Sequence, residues 1–330
     1  MVGLPLALWI YKCLMMVIFQ RKIIYMGYAP PGARTEELHA SLLPREIRCM
    51  EVCLESEKHV RLHGIIIHQD ALDCSARDPD VVIVYLQGNA GNPLARIPVF
   101  EKLLSGLSQS QQSPKNSTLS VHIIAVAPRS YWKSSSRTPT ERSLIADYHR
   151  VLSYAVERYP KSTIVLYGHS LGGAIAVCLA SHLSSTDYPT VQGLVLENPF
   201  ASIPDMVQAL YPQRWLPYRY LGHLAFDKWN AVAAMQSAKG GTDSLLSRLS
   251  RDMLVLLSEK DEIVPPTMGE EIYRARESTR HQGTNYRSAE RGQRRLVMVR
   301  GALHEQAWMH RQWVNEMTAY VHQVRARKDW

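Results

Sequence analysis

Six short runs of β-branched and aliphatic residues set the strongest limit on what this chain can fold into: Val81–Leu86, Val121–Val126, Ser162–Tyr167, Gly193–Glu197, Met253–Ser258 and Leu296–Val299. They are almost continuously apolar, as strands buried on both faces of a parallel sheet must be, whereas half-exposed strands alternate. Helical patterns separate them. In the clearest, Pro139–Arg158, one stripe carries Leu144, Tyr148, Val151, Leu152 and Ala155. Thr138 and Glu141 are spaced as a capping box there, with Pro139 at the first helical position. Upstream, Glu46–Glu55 and Val60–His68 read as an antiparallel leading pair. The expectation is an α/β fold with a mostly parallel central sheet flanked by helices. Ligands of such sheets sit beyond the carboxyl ends of the strands, so chemistry is to be sought in the loops that follow them.

One of those loops is distinctive. After the run Ser162–Tyr167 comes Gly168-His169-Ser170-Leu171-Gly172-Gly173, and then a helical stretch from Ala174 to Leu183. A bare GxSxG is weak, because Gly and Ser are common enough to supply about one chance match per ten chains of this length. A buried strand before it and a helix after it make it a sharp turn that lifts the Ser170 hydroxyl to the top of the sheet. The bland reading is a serine that merely caps a helix. No GxGxxG or GxxxxGK[ST] is present, which removes the dinucleotide and P-loop readings.

A serine hydroxyl becomes a useful nucleophile only when a base takes its proton and a third group orients that base. Asp261 lies just past Met253–Ser258, and His304 lies past Leu296–Val299. The order Ser, acid, His is therefore satisfied with all three at one sheet edge. Glu197 is a rival acid, but it runs directly into Asn198-Pro199-Phe200, where it is expected to accept backbone N–H groups. An oxyanion hole would take one N–H from Leu171 and one from Asn89 or Ala90, in the loop Gln87-Gly88-Asn89-Ala90-Gly91-Asn92 after the first run. The bland alternative there is a simple strand-to-helix turn.

The rest of the 330 residues adds limits rather than chemistry. Residues 2–19 are apolar except for Lys12, and Arg21-Lys22 follow. That length is at the short end for a bilayer-crossing helix, and a helix buried against the domain is the rival. The expectation is a single N-terminal membrane anchor over residues 1–22, with the domain of residues 23–330 on the cytoplasmic side because of the basic pair. Polar insertions at about 108–118 and 277–295 interrupt that domain. The second belongs to an Arg-rich stretch, 274–295, that reads as a solvated loop; Glu277 and Glu290 break it and no aromatic platform suits it to nucleic acid. Five cysteines without regular spacing support neither a disulfide framework nor a zinc site. The net charge of +8 favours anionic surfaces without demonstrating one. Oligomeric state is not legible.

The motifs together resemble the membrane-anchored, bud-emergence-related branch of the α/β-hydrolase superfamily, neighbours of the abhydrolase-domain depalmitoylases. That family's His-Gly-Asn-Ala-Gly-Asn loop is similar to 87–92, with Gln87 in place of His. Its elbow matches Gly168–Gly173, and its Glu-Asn-x-Phe-x-Ser-Ile-Pro stretch matches Glu197–Pro204. Its Lys-Asp-Glu-Ile-Val-Pro acid loop matches Lys260–Pro265, and its Gly-x-x-His matches Gly301–His304. One departure is plain. Where the family has Asp-Tyr-Arg-Gly-Tyr-Gly-Lys-Ser, this chain has Ala127-Pro128-Arg129-Ser130-Tyr131-Trp132-Lys133-Ser134, so the shape of that rim loop is not carried over.

The resemblance implies an α/β-hydrolase fold and hydrolysis of an ester or thioester through an acyl-serine, with Ser170, Asp261 and His304 in the catalytic roles and no cofactor or metal. The substrate would be a small-molecule or lipid-like acyl ester. A small cap over about 200–241, rich in Tyr211, Trp215, Tyr218, Tyr220 and Trp229, either receives an apolar acyl group or only seals itself onto the core. The alternative class is a non-catalytic membrane-associated scaffold that has kept the hydrolase fold.

Overall fold

The computed structural model describes residues 3–39, 43–44, 46–57, 59–69, 78–109, 119–238, 243–276 and 293–327. Both expected polar insertions fall largely outside the described residues. Eight strands form one sheet: β1 (Ile47–Glu55), β2 (Arg61–Gln69), β3 (Val81–Leu86), β4 (Val121–Val126), β5 (Thr163–His169), β6 (Val191–Glu197), β7 (Leu254–Ser258) and β8 (Arg295–Val299). Their spatial order is β1-β2-β4-β3-β5-β6-β7-β8. β1 pairs with β2 and β2 with β4 antiparallel, and every later pairing is parallel. All six residues of β3, all seven of β5 and all five of β7 are buried. Their continuous apolarity follows, since helices cover both faces.

The helices are α1 (Gly3–Ile18), α2 (Gln20–Ile24), α3 (Ile97–Gln109), α4 (Glu141–Arg158), α5 (Leu171–His182), α6 (Ile203–Leu210), α7 (Ala231–Ser237), α8 (Leu245–Leu249), α9 (Pro266–Ala275) and α10 (Arg311–Ala326). Residues Leu171 to Ala180 of α5 are all buried, so this helix is apolar on every side rather than amphipathic. Between β6 and β7 the chain leaves the sheet to build α6, a 3₁₀ segment Pro217–Leu224 and α7. These occupy the stretch expected to form a cap.

One expectation needs correction. Helix α4 starts later than its sequence pattern indicates. Its N-cap is Thr140, not Thr138, and its box partner is Ser143: Thr140 Oγ1 accepts from Ser143 N at 3.1 Å and Ser143 Oγ from Thr140 N at 2.9 Å. Glu141 is drawn elsewhere. Its carboxylate accepts the backbone N–H groups of Lys228 at 2.7 Å and Trp229 at 3.1 Å, and its own N–H donates to Asp227. A local capping signal thus yields to a contact with the cap, 86 residues away in sequence.

The apolar N-terminal stretch forms two helices. Helix α1 has 16 residues, about 24 Å at 1.5 Å per residue, against a hydrocarbon core of about 30 Å. The helical path breaks at Phe19, and α2 folds onto the cap, where Arg21 pairs with Asp227 at 3.2 Å. Among the described residues no helix is long and apolar enough to cross a membrane.

The rim loop after β4 keeps its turn without the family's glycines. Ser130 and Trp132, which stand at those two positions, both have positive φ, +67° and +40°. Such a conformation costs an L-residue about 1 kcal/mol or more, and surrounding contacts must hold it. Arg129 supplies them through a buried fork on Asp147 (Nε–Oδ2 2.9 Å, Nη2–Oδ1 2.7 Å). Trp132 is fully buried and its indole N–H donates to the Glu36 carbonyl at 2.8 Å. We expect Arg129→Met to lower stability by about 3–5 kcal/mol, because Asp147 is left buried without its cation. Urea unfolding of the variant measures it.

Candidate active site

The elbow after β5 is built as its glycines require. Ser170 lies at the junction with α5 with φ +53° and ψ −119°, a strained conformation for a non-glycine residue. The turn is so tight that any side chain at Gly168 would run into the backbone of Gly172, and one at Gly172 into the Leu86 carbonyl. Leu171 opens α5, so its N–H is among the orphan donors at the positive end of that helix.

The loop after β3 lies next to this elbow because β3 pairs with β5, with Leu86 opposite Gly168. A Cβ placed on Gly88 would sit 3.6 Å from the Cβ of Ser170. Asn89 turns its carbonyl outward, where it accepts from Met26 N at 2.7 Å and from the Tyr131 hydroxyl at 3.0 Å. A trans peptide points its N–H opposite to its carbonyl, so the Ala90 N–H is directed away from Met26. Gly91 N donates to the Ala29 carbonyl at 2.7 Å. The segment just after α2 therefore braces the loop after β3 from outside, a contact no sequence signal announces. The Gln87 amide is buried and neither its nitrogen nor its oxygen has a hydrogen-bond partner.

Asp261 and His304 come together. The carboxylate Oδ2 lies 2.7 Å from His304 Nδ1, and both side chains are almost fully buried. Asp261 Oδ1 accepts from Ile263 N at 2.9 Å and Val264 N at 2.7 Å, which fixes the carboxylate plane. With Nδ1 so engaged, Nε2 is the ring nitrogen left to work. Three other groups hold His304 itself. Its N–H donates to Glu262 at 3.0 Å, and its carbonyl accepts from Asn198 Nδ2 at 2.8 Å and His169 Nε2 at 3.2 Å. Through those last two bonds the His304 loop, which follows the edge strand β8, reaches across the ends of β7 and β6 to the elbow. Asn198 also exchanges hydrogen bonds with Ser258, tying the end of β6 to the end of β7.

Glu197 is not part of this array. Its Oε2 accepts from the Tyr167 hydroxyl and from Trp313 Nε1, the latter at 3.0 Å, and it is fully buried. Burial raises its pKa despite those two donors. Side-chain donors thus stand where backbone N–H donors were expected. The cap aromatics divide as well. Trp229 is wholly buried with its indole N–H on Tyr25 Oη at 2.9 Å, whereas Trp215 and Tyr220 are exposed.

His169 has a definite charge state. Burial first, then Arg96 and His304, push its pKa well below the ordinary 6.5. As a neutral ring it accepts from Arg96 at Nδ1, 2.7 Å away, and donates from Nε2 to His304. The ligand atoms of His169, His304 and Glu305 lie within 4.8 Å of one another, a spacing that could hold a metal ion. Arg96 already occupies that cluster, 2.7 Å from both His169 and Glu305. On β4, burial beside His68 and Arg158 lowers His122 to about 4. Below pH 6.5 the unfolded chain binds protons that these two rings refuse. Their contribution to stability is therefore complete above 6.5 and lost as pH falls from there toward the folded values. Melting temperatures should drop between pH 6.5 and 4.5, at a slope of up to about 1.4 kcal/mol per pH unit for each ring. His122→Phe should remove part of that slope.

Comparison with known proteins agrees with this architecture. Residues 133–240, which include the elbow, match a family of hydrolases described as serine aminopeptidase, S33. The chain is similar to the protein bem46 of Schizosaccharomyces pombe, 26% identical over 250 residues, covering 75% of this chain and 72% of that one. It is also similar to the lysophosphatidylserine lipase ABHD12 of Danio rerio, 27% identical over 194 residues, 58% of this chain. That match spans under half of the lipase, 46% of its length. In three dimensions it is similar to an α/β hydrolase from Vibrio vulnificus, with a TM-score of 0.56 at 20% identity over 91% of this chain and 93% of the other.

Proposed function

We propose that this member of the α/β-hydrolase superfamily is a serine hydrolase that cleaves an ester or thioester of an apolar acyl chain through an acyl-Ser170 intermediate. The observation that carries this reading is the Asp261–His304 pair, 2.7 Å apart, with the His304 carbonyl hydrogen-bonded to the residue before Ser170. In the first half-reaction the Ser170 oxygen attacks the acyl carbon and its proton passes to His304 Nε2. Asp261 keeps the imidazole in the required tautomer and stabilises the imidazolium. The oxyanion is received by the Leu171 N–H and by one from Asn89 or Ala90. Collapse forms the acyl-serine and expels the alcohol or thiol, which takes the proton from Nε2. Water then attacks the acyl carbon and gives its proton to the same nitrogen; the bond from the acyl carbon to the Ser170 oxygen breaks, that oxygen takes the proton back from Nε2, and the acid leaves.

The likeness to a lysophosphatidylserine lipase supports a single-chain lipid ester as the substrate class, and the array needs no cofactor. Labelling of the purified chain by a fluorophosphonate tests the reaction class, and p-nitrophenyl esters of increasing chain length test the acyl preference. Stoichiometric labelling with turnover rising from short to longer chains is expected. Failure of the folded protein to label would favour a non-catalytic scaffold.

The brace on the oxyanion loop makes a separate prediction. Deleting residues 2–19 removes α1 but leaves the Met26 and Ala29 contacts, so turnover of a short soluble ester should stay within about threefold. Deleting residues 2–30 removes both contacts and should lower turnover about tenfold or more, because a donor displaced by about 1 Å aims poorly at the oxyanion. Equal turnover of the two truncated proteins would show that the brace is dispensable.

A further inference from the structure

We propose that Arg96 is a positioning residue for acyl transfer: its guanidinium ties the loop after β3, the elbow at Ser170 and the His304 loop into one register. The role deepens the serine-hydrolase reading and rests on it. Asn92, the last residue of the loop after β3, caps the 3₁₀ turn Pro93–Arg96 by accepting from Ala95 N at 3.1 Å. Arg96 is therefore carried by the segment that offers Asn89 and Ala90. From there a single nitrogen, Nη2, lies 2.7 Å from His169 Nδ1 and 2.7 Å from Glu305 Oε2. The first partner precedes Ser170 in the chain, and the second follows His304.

The donor-only chemistry of the cation decides what it can do here. A neutral imidazole has one donor nitrogen and one acceptor, while a guanidinium has donors alone. Facing Arg96, His169 Nδ1 must accept, so the ring proton stands on Nε2, 3.2 Å from the His304 carbonyl. An accepting group in place of Arg96 would draw that proton to Nδ1 and set a lone pair against the carbonyl. Gly88 leaves room for the contact, since a Cβ there would come to 3.4 Å from His169 Nδ1.

Stability alone is a poor account of this arrangement. The Arg96 side chain is only 14% exposed, so its cation has given up most of its water. The carboxylate it pairs with is 57% exposed, and an ion pair open to solvent contributes little. Placement accounts for it better. Glu262 holds the His304 N–H from the loop after β7, and Asn198 holds its carbonyl from the end of β6. The tie from His304 to the elbow runs through His169 and Arg96. A shift of about 1 Å between base and nucleophile costs up to about a hundredfold in rate.

The test compares kcat and KM of wild type, Arg96→Met, Arg96→Lys and His169→Leu on a p-nitrophenyl ester, each per site labelled at the end point by a fluorophosphonate. Arg96→Met should lower kcat per labelled site about thirtyfold with KM within about threefold, because the role is placement and not substrate binding. Arg96→Lys keeps a charged donor and should recover to within about fivefold of wild type. Combining Arg96→Met with His169→Leu should be no more than about threefold worse than the poorer single variant, because both cut one tie. Arg96→Met with Glu305→Gln leaves no lone carboxylate, and it takes the place of Arg96→Met if that variant does not fold. Unchanged kcat per labelled site, a loss carried by KM, no recovery by lysine, or multiplying losses in the combined variant would each overturn the role of Arg96 while labelling of the wild type upholds the acyl-serine. A folded wild-type protein that does not label would overturn the acyl-serine reading and this role with it.

Discussion

Ser170→Ala should abolish fluorophosphonate labelling and reduce ester turnover by about three orders of magnitude or more, while leaving the fold intact. The hydroxyl oxygen is the only group removed. Alanine carries the same Cβ, so the strained backbone at φ +53° is neither relieved nor worsened. The surrounding glycines and the fully buried α5 continue to hold the turn. What remains is catalysis by the oxyanion donors and by substrate positioning, which accounts for residual activity in enzymes of this design. The measurement is labelling intensity and turnover on wild type and variant at matched melting temperature. Persistent labelling of the variant would assign the reactive serine elsewhere.

Asp261→Asn and Glu197→Gln should fail in opposite ways, although each replaces a carboxylate with its amide. At Asp261 the amide oxygen can still accept from Ile263 and Val264, so the loop survives. Its NH₂ then faces His304 Nδ1, which must become an acceptor. The proton moves to Nε2, where it blocks the nitrogen needed as base. Turnover should fall by up to about four orders of magnitude with little change in melting temperature. Glu197 instead accepts from Tyr167 and Trp313 in a fully buried site. A glutamine has one oxygen for two donors, so the expected loss is about 1–3 kcal/mol of stability, with turnover of the folded fraction changed only several-fold. Turnover and melting curves on both purified variants decide it; the reverse pattern would make Glu197 the orienting acid.

Much of this was written locally in the chain. Strands buried on both faces need apolar residues at every position, which is why β3 and β4 coincide with the apolar runs and the other central strands differ by at most two residues at an end. The elbow was legible from its glycine spacing: Gly168 is demanded by backbone contact with Gly172, four residues on, although Gly172 itself answers to Leu86 on the neighbouring strand. Chain order placed Asp261 and His304 at the right edge, since each follows a parallel strand. Other features were decided only when distant segments met. That His304 pairs with Asp261 while Glu197 pairs with Tyr167 and Trp313, the latter 116 residues away, emerged only in the folded chain. The hold on the His304 carbonyl comes from Asn198 and His169, more than 100 residues upstream, and residue types alone do not announce such a pairing. The start of α4 shifted because the cap claimed Glu141, and Met26 came to brace Asn89 because α2 folds over the cap. Residues 2–19 show the division most plainly. Their apolar composition is plain in the chain, but the break at Phe19 and the Gln20 and Arg21 contacts with residues 224–227 exist only in the folded chain.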